Sequence, residues 1–310
     1  MDTETVDYAP RFLRLDQAVF AEASNFDATD VAHLNEAFGD FFGVYTQEIM
    51  QMPPPDNPML PEFLNRFTSD PIWQRLQTTI KEVHPDLDAQ EIRITEALKR
   101  YSVHFDRDTL PALVAYNSGF NVGIYPSSNY LGVGLEWYSG SENPIVKQLP
   151  PDLFPQYKRD KMKPRYLVPN TVKGWLFYTH QNLVGETLLE QMAFRGKMLF
   201  ITKVLTEDTE ANILNFSEAE LEWCRESEYD IWDFFLKEDL LFSSDLKQIN
   251  KILNDGPFTP GMPLESPGGV GNWVGLRMVE AFMEDNDEVS LKSLLQVDEQ
   301  RILKYYKPGR

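Results

Sequence analysis

Apolar positions along this chain recur mainly at three- and four-residue steps, the spacing that gives a helix one buried stripe. In residues 1–50, Val31, Leu34, Phe38, Phe41, Phe42 and Tyr45 follow that rhythm behind Asp30, so the stretch is expected to be helical with a cap at Asp30. Met52-Pro-Pro-Pro-Asp-Asn-Pro-Met-Leu-Pro61 interrupts it, because prolines lack the N–H that a helix interior needs; an extended connector and candidate hinge is expected over 52–61. Ser69-Asp70-Pro71 reads as a cap with proline in the first turn, followed by Ile72, Leu76, Ile80 and Val83 on one face and an end at Pro85. A helix starting near Asp88 would bury Ile94, Leu98, Tyr101 and Phe105.

The pattern then changes. Leu110-Pro-Ala-Leu-Val-Ala-Tyr-Asn-Ser-Gly119, Phe120-Asn-Val-Gly-Ile-Tyr125 and Tyr130-Leu-Gly-Val-Gly-Leu-Glu-Trp-Tyr138 have the residue types and turn signals of strands. One small sheet of about three or four strands is predicted over roughly 110–140. Residues 141–170, rich in proline and polar side chains, read as a long surface excursion. Helical spacing returns from 171. Leu188, Leu189, Met192, Leu199, Thr202 and Val204 lie on a segment with few polar positions, which predicts a central helix. Ser217-Glu-Ala-Glu220 is a capping box that opens a long segment with Leu221, Trp223, Ile231 and Phe235. Ser266-Pro-Gly-Gly-Val-Gly271 opens a last major helix facing inward through Val270, Trp273, Val274, Met278 and Phe282, and short helices near Ser290 and Asp298 close the chain. The fold expected is thus a mostly helical α+β protein, read as a single domain over 1–310.

Composition narrows the function. With 48 Asp and Glu against 29 Lys and Arg, the net charge is −19, which disfavours nucleic acid and anionic lipid as partners. The single cysteine, Cys224, excludes an internal disulfide and cysteine-rich metal sites, and reads as a buried apolar side chain. No stretch approaches the ~18–20 apolar residues of a membrane helix. The acidic opening Met1-Asp-Thr-Glu-Thr-Val-Asp7 has neither the basic nor the apolar region of a secretion signal.

Motifs that define enzymes are missing. His33, His84, His104 and His180 form no i,i+4 pair, no His-Glu-x-x-His occurs, and glycine-rich phosphate loops and nucleophile elbows are absent. Three constellations stand out. Glu186 and Glu190 share a helix face, with Arg195 and Lys197 one and two turns on; they read either as surface support or as carboxylates in a polar cleft. Ser266-Pro-Gly268-Gly-Val-Gly271 with Gly275 and Arg277 reads either as a close-packing surface or as an anion cradle. Glu136, at the end of a predicted strand, points either outward or into a cleft. The acidic run Glu284-Asp-Asn-Asp-Glu288 lacks calcium-loop spacing and reads as a solvated helix end.

Several strings occur in order: Tyr130-Leu-Gly-Val-Gly-Leu-Glu-Trp-Tyr-Ser-Gly140, Met192-Ala-Phe-Arg-Gly-Lys-Met-Leu-Phe200, Leu221-Glu-Trp223, Ile231-Trp232, Leu240-Leu-Phe-Ser-Ser-Asp245, Gly256-Pro-Phe258, Ser266-Pro-Gly-Gly-Val-Gly-Asn-Trp-Val-Gly275 and Phe282-Met283. Together they resemble the GldB family of gliding-motility lipoproteins of Bacteroidetes-type bacteria. The likeness spans roughly 10–308 and is most specific over 189–283. It implies a periplasm-facing envelope lipoprotein that supports gliding and the secretion machinery tied to it. Its membrane contact would be an N-terminal lipid anchor, whose lipobox cysteine is not in this chain; Met1 is read as standing where a leader was removed.

A fainter likeness to predicted zinc-dependent proteases implies a zincin-like scaffold. Its zinc helix would correspond to Asn170-Thr-Val-Lys-Gly-Trp-Leu-Phe-Tyr-Thr-His-Gln181, which keeps one histidine and lacks the second ligand and the glutamate. The leading expectation is a non-catalytic protein with no metal or cofactor that binds a gliding or secretion component. Its cleft would draw on Glu136, His180, Glu186, Glu190, Arg195, Lys197, Ser266, Gly268, Gly271 and Arg277. The competing readings are a hydrolase with a non-standard metal or carboxylate site around His180, Glu186 and Glu190, and a purely structural module.

Overall fold

The computed structural model describes residues 3–21 and 25–309; Met1, on which the leader reading turns, lies outside them. The chain is mostly helical around one four-stranded mixed sheet. The strands are β1 (Leu13–Arg14), β2 (Ala112–Tyr116), β3 (Ile124–Pro126) and β4 (Tyr130–Gly134), in the order β1-β2-β4-β3. β1 and β4 run parallel to β2, and β3 runs antiparallel to β4 with Ile124 opposite Val133.

Side chains alternate across a strand, and β2 uses both faces. Leu113 and Ala115 join a core built with helices α1 (Asp88–Phe105), α2 (Leu167–Thr179) and α3 (Leu188–Thr206), while Val114 and Tyr116 pack on Phe41, Tyr45 and Ile49 of the N-terminal helices. α3 is central, as its lack of polar positions predicts. Phe194, Met198, Ile201 and Leu205 face the sheet-side core, whereas Leu188, Leu189, Met192 and Leu199 face a second, all-helical core. That second core holds α4 (Leu246–Leu253) and α5 (Val270–Glu284), with Trp273, Val274, Met278 and Phe282 buried on α5.

Several local expectations shift. The first strand, Leu13–Arg14, pairs through two residues and leaves no periodic trace in the sequence. The helix Ala28–Phe38 is capped by Asp27, with Asp30 closing the box as its third residue. The next proline run ends earlier than read: the helix Leu60–Ser69 takes in Pro61, because a proline in the first turn forfeits no intrahelical bond. Asp70 caps the following helix Pro71–Val83 through the Ile72 N–H, although Ile72 itself is exposed.

The last predicted strand stops at Gly134. A Cβ there would lie 2.5 Å from the Val122 carbonyl oxygen, and Leu135–Tyr138 turns off as a 3-10 helix. The excursion after 140 contains short helices at Pro144–Gln148 and Gln156–Arg159, and the segment opened by Ser217 is two helices, Glu218–Glu226 and Glu228–Lys237. Among the described residues, no helix is long and apolar enough to cross a membrane.

Candidate functional site

A cleft of about 400 Å³ opens where α2, α3 and the segment after α4 meet. From α2 it receives Asn170, Lys173, Gly174 and Phe177; from α3, Arg195 and Leu199; from the facing half, Asn215, Asp255, Gly268 and Asn272. Lys161 and Tyr138 line its other side and also border an adjoining recess of about 270 Å³ with Trp137 and Gly123. Asn170, Asn215 and Asp255 belong to both, so the two hollows form one trough.

Cations dominate this trough. Lys173 is the one charged side chain on α2, and its Nζ donates to the Ile213 carbonyl at 2.7 Å. Burial pushes its amine down to about 7; the neighbouring Lys161 charge adds to the shift, and Asp255 opposes it. Arg195 donates through Nη1 to the Leu253 carbonyl and to Asn272 Oδ1, both at 3.2 Å. Asn272 is held by its own donations to the Leu253 and Gly269 carbonyls at 2.8 Å each. Lys161 pairs with Asp255. In the main hollow three cations thus face one carboxylate, and Lys158 adds a fourth cation in the adjoining recess, in a chain of net charge −19.

The amides complete the lining. Asn170 and Tyr138 line both hollows. The Oδ1 atoms of Asn170 and Asn215 are buried without a hydrogen-bond partner, although buried acceptors are ordinarily satisfied. Asn215 sits in the left-handed region (φ 58°) just after the helix Glu210–Leu214.

Of the residues singled out from sequence, Arg195 and Gly268 line the cleft and the others do not. Glu136 is fully buried; its Oε1 accepts from Ser118 N at 2.8 Å, Ser118 Oγ at 2.5 Å and Phe120 N at 3.2 Å. Desolvation raises its carboxyl to about 7 against the lowering effect of those bonds. His180 Nε2 lies 3.1 Å from the Tyr101 hydroxyl and its ring packs near Phe105.

Glu186 is exposed. Its N–H and that of Thr187 donate to Glu190 Oε2, the carboxylate of the box that caps α3. Glu190 and Lys197 border a separate recess of about 190 Å³, and Lys197 donates to the Val297 carbonyl at 2.6 Å. Arg277 pairs with Glu280 at 2.7 Å. Ser266 Oγ accepts from the Thr259 N–H at 3.1 Å, and a Cβ on Gly271 would meet Ile252 Cγ2 at 2.7 Å, so this turn is packed against its neighbours. Among the described residues, no group of three or more His, Cys, Asp or Glu is placed to hold a metal ion.

Lys161, Lys173, Asn215, Asp255 and Asn272 were not singled out by sequence reasoning. One signal was available: a lysine inside the otherwise uncharged run 167–177. Its depressed pKa has a measurable consequence. An ordinary lysine keeps its proton up to pH ~10.4 in the unfolded chain, so between about 7 and that value the unfolded state binds more protons and stability rises with pH. Lys173→Gln is therefore expected to melt at a higher temperature than the parent. The difference is full at pH 7 and below and closes toward pH 10; melting curves at pH 6, 8 and 9.5 check it.

Fold and cleft together define a mostly helical α+β protein built around a cation-lined trough. The chain belongs to the gliding motility protein GldB family, whose model matches residues 1–308. Its role therefore lies in gliding motility, and the lipoprotein character of the family sets it at the cell envelope. No curated protein and no solved structure matches the chain.

Proposed function

We propose that this chain is a non-catalytic envelope protein, facing the periplasm, that supports gliding and its associated secretion by holding a segment of a partner protein in the cationic trough. The observation that carries this reading is the charge imbalance in the main hollow of the trough: Lys161, Lys173 and Arg195 face Asp255 alone, on a chain that elsewhere carries a large acidic excess. Burying such charges costs free energy unless something compensates them, and a bound anionic group does so.

The likeness to zinc proteases fits a scaffold of this kind. α2 follows the sheet and the excursion, and its trough-facing residues are Asn170, Lys173, Gly174 and Phe177, none of which offers an imidazole or a carboxylate. His180 and Glu190, on which the hydrolase reading depends, are held by Tyr101 and by the α3 cap respectively. This placement is why binding is preferred.

The experiment is replacement of the native gene by Lys173→Gln and, separately, by Arg195→Gln. Colony spreading on agar is expected to be lost in both while protein level is retained and neither variant melts below the parent. Normal spreading by both variants would overturn the reading.

A further inference from the structure

We propose that the trough recognises an extended peptide through a carboxylate seated on Lys173 and Arg195, while the peptide's backbone N–H groups donate to the Oδ1 atoms of Asn170 and Asn215. This rests on the reading of the trough as the partner-binding site and names the chemistry that the site takes.

Two independent observations meet here. The first is spare donor capacity next to positive charge. An ammonium has three N–H donors and a guanidinium five. The bonds made by Lys173 and Arg195 go to carbonyl and amide oxygens, at Ile213, Leu253 and Asn272, and not to a carboxylate. Charge-assisted bonds to a carboxylate are about twice as strong as neutral ones, so an incoming carboxylate offers these cations more than the protein does.

The second observation is the pair of buried, unpartnered acceptors, Asn170 Oδ1 and Asn215 Oδ1, on either side of the trough. A fully ionised phosphate presents acceptors only and leaves both amide oxygens unpaired. A peptide brings a carboxylate and N–H donors together, and so satisfies both sets. Shape agrees: the main hollow of about 400 Å³ falls in the ~300–1,000 Å³ range of ligand sites, and the adjoining recess lengthens it along one direction. Ile124, Phe177, Leu199 and Trp137 supply apolar wall for side chains.

Protonation follows from the same geometry. Lys173 faces Lys161, Arg195, Asp255 and Tyr138 across the trough, and without ligand its amine is half-neutral near pH 7. A carboxylate draws the proton back, so binding takes up protons and weakens as the pH rises above about 7.

The test is a thermal-shift titration of the full chain with N-acetylated pentapeptide pools randomised over uncharged residues. One pool ends in a free carboxylate, one in an amide, and one in an amide with a central glutamate. The free-carboxylate or the glutamate pool is expected to raise the melting temperature, and whichever does so identifies a chain terminus or a side chain as the source. The plain amide pool is expected to leave it unchanged, and the shift is expected to shrink at least twofold from pH 6.0 to pH 8.5. An equal shift with the plain amide pool, the same shift with inorganic phosphate alone, or no shift with any pool would overturn the inference. The comparison uses the parent protein, so it does not depend on a variant folding. Loss of spreading in Lys173→Gln cells without a peptide shift would sink the carboxylate chemistry and leave the broader reading standing; normal spreading by both Lys173→Gln and Arg195→Gln cells would remove both.

Discussion

Gly275→Ala is expected to destabilise the protein by more than about 3 kcal/mol, although alanine is the better helix former by ~1 kcal/mol. A Cβ on Gly275 would lie 2.2 Å from the Met192 carbonyl oxygen, and a Cβ on Gly196 would lie 2.0 Å from the Gly275 oxygen. Both obstacles are backbone, so no side chain can swing aside and α3 and α5 must separate. Separation strips packing from a helix shared by the two cores, with Met192 and Leu199 on one side and Met198 and Ile201 on the other. Arg195, between Met192 and Gly196 on α3, would shift with it, so the trough would be disturbed as well. Gly43 is the internal control: a Cβ there would meet only side-chain atoms, at 3.6 and 4.0 Å. Gly43→Ala is expected to be neutral or stabilising by up to ~1 kcal/mol. Urea unfolding midpoints of Gly275→Ala, Gly196→Ala and Gly43→Ala check the ordering, and a Gly275→Ala midpoint equal to the parent's would remove the close crossing.

That crossing shows what periodicity conveys and where it stops. The apolar stripe of 188–204 and the glycines at 271 and 275 were legible as a central helix and a close-packing surface. The partner of Gly275 was not, because Gly196 lies 79 residues away and nothing local marks it. The strands β2 to β4 were visible through residue type, whereas β1 is two residues long and exists only by pairing with β2.

The trough was the least legible feature. Its charged members come from the excursion, α2, α3 and the turn after α4, and each looks unremarkable alone. Carboxylates drew attention because they sit in recognisable patterns. Glu190, four residues after Glu186, proved to be the third residue of the box that caps α3. The informative residue was the cation that an apolar helix tolerates, Lys173. Arg195 was noticed for its proximity to Glu190 in sequence, but its contacts run the other way, to Leu253 and Asn272.

Glu136→Ala is expected to cost on the order of 3 kcal/mol or more, since it removes the acceptor shared by Ser118 N, Ser118 Oγ and Phe120 N in the turn after β2. Ser118 N and Phe120 N both donate to Glu136 Oε1, and Gly119 and Phe120 hold positive φ values of 63° and 69° around it. Without the carboxylate, two buried N–H groups lose their partner and the strained turn loses its anchor. Glu136→Gln separates this hydrogen bonding from charge, because an amide oxygen still accepts. The raised carboxyl pKa of about 7, against an ordinary 4.5, means that the folded state holds a proton which the unfolded state has released across that window. Stability from this group is therefore full below about 4.5 and is lost as the pH climbs to about 7. Glu136→Gln is expected to abolish that decline, so its stability relative to the parent improves from pH 5 to pH 7 and then levels. The Lys173 contribution begins only where this one ends, so urea unfolding at pH 5, 6, 7 and 8 reads Glu136 below 7 and Lys173 above it. Parallel profiles for the parent and Glu136→Gln would show that the carboxylate keeps its charge in the core, compensated by the turn N–H groups alone.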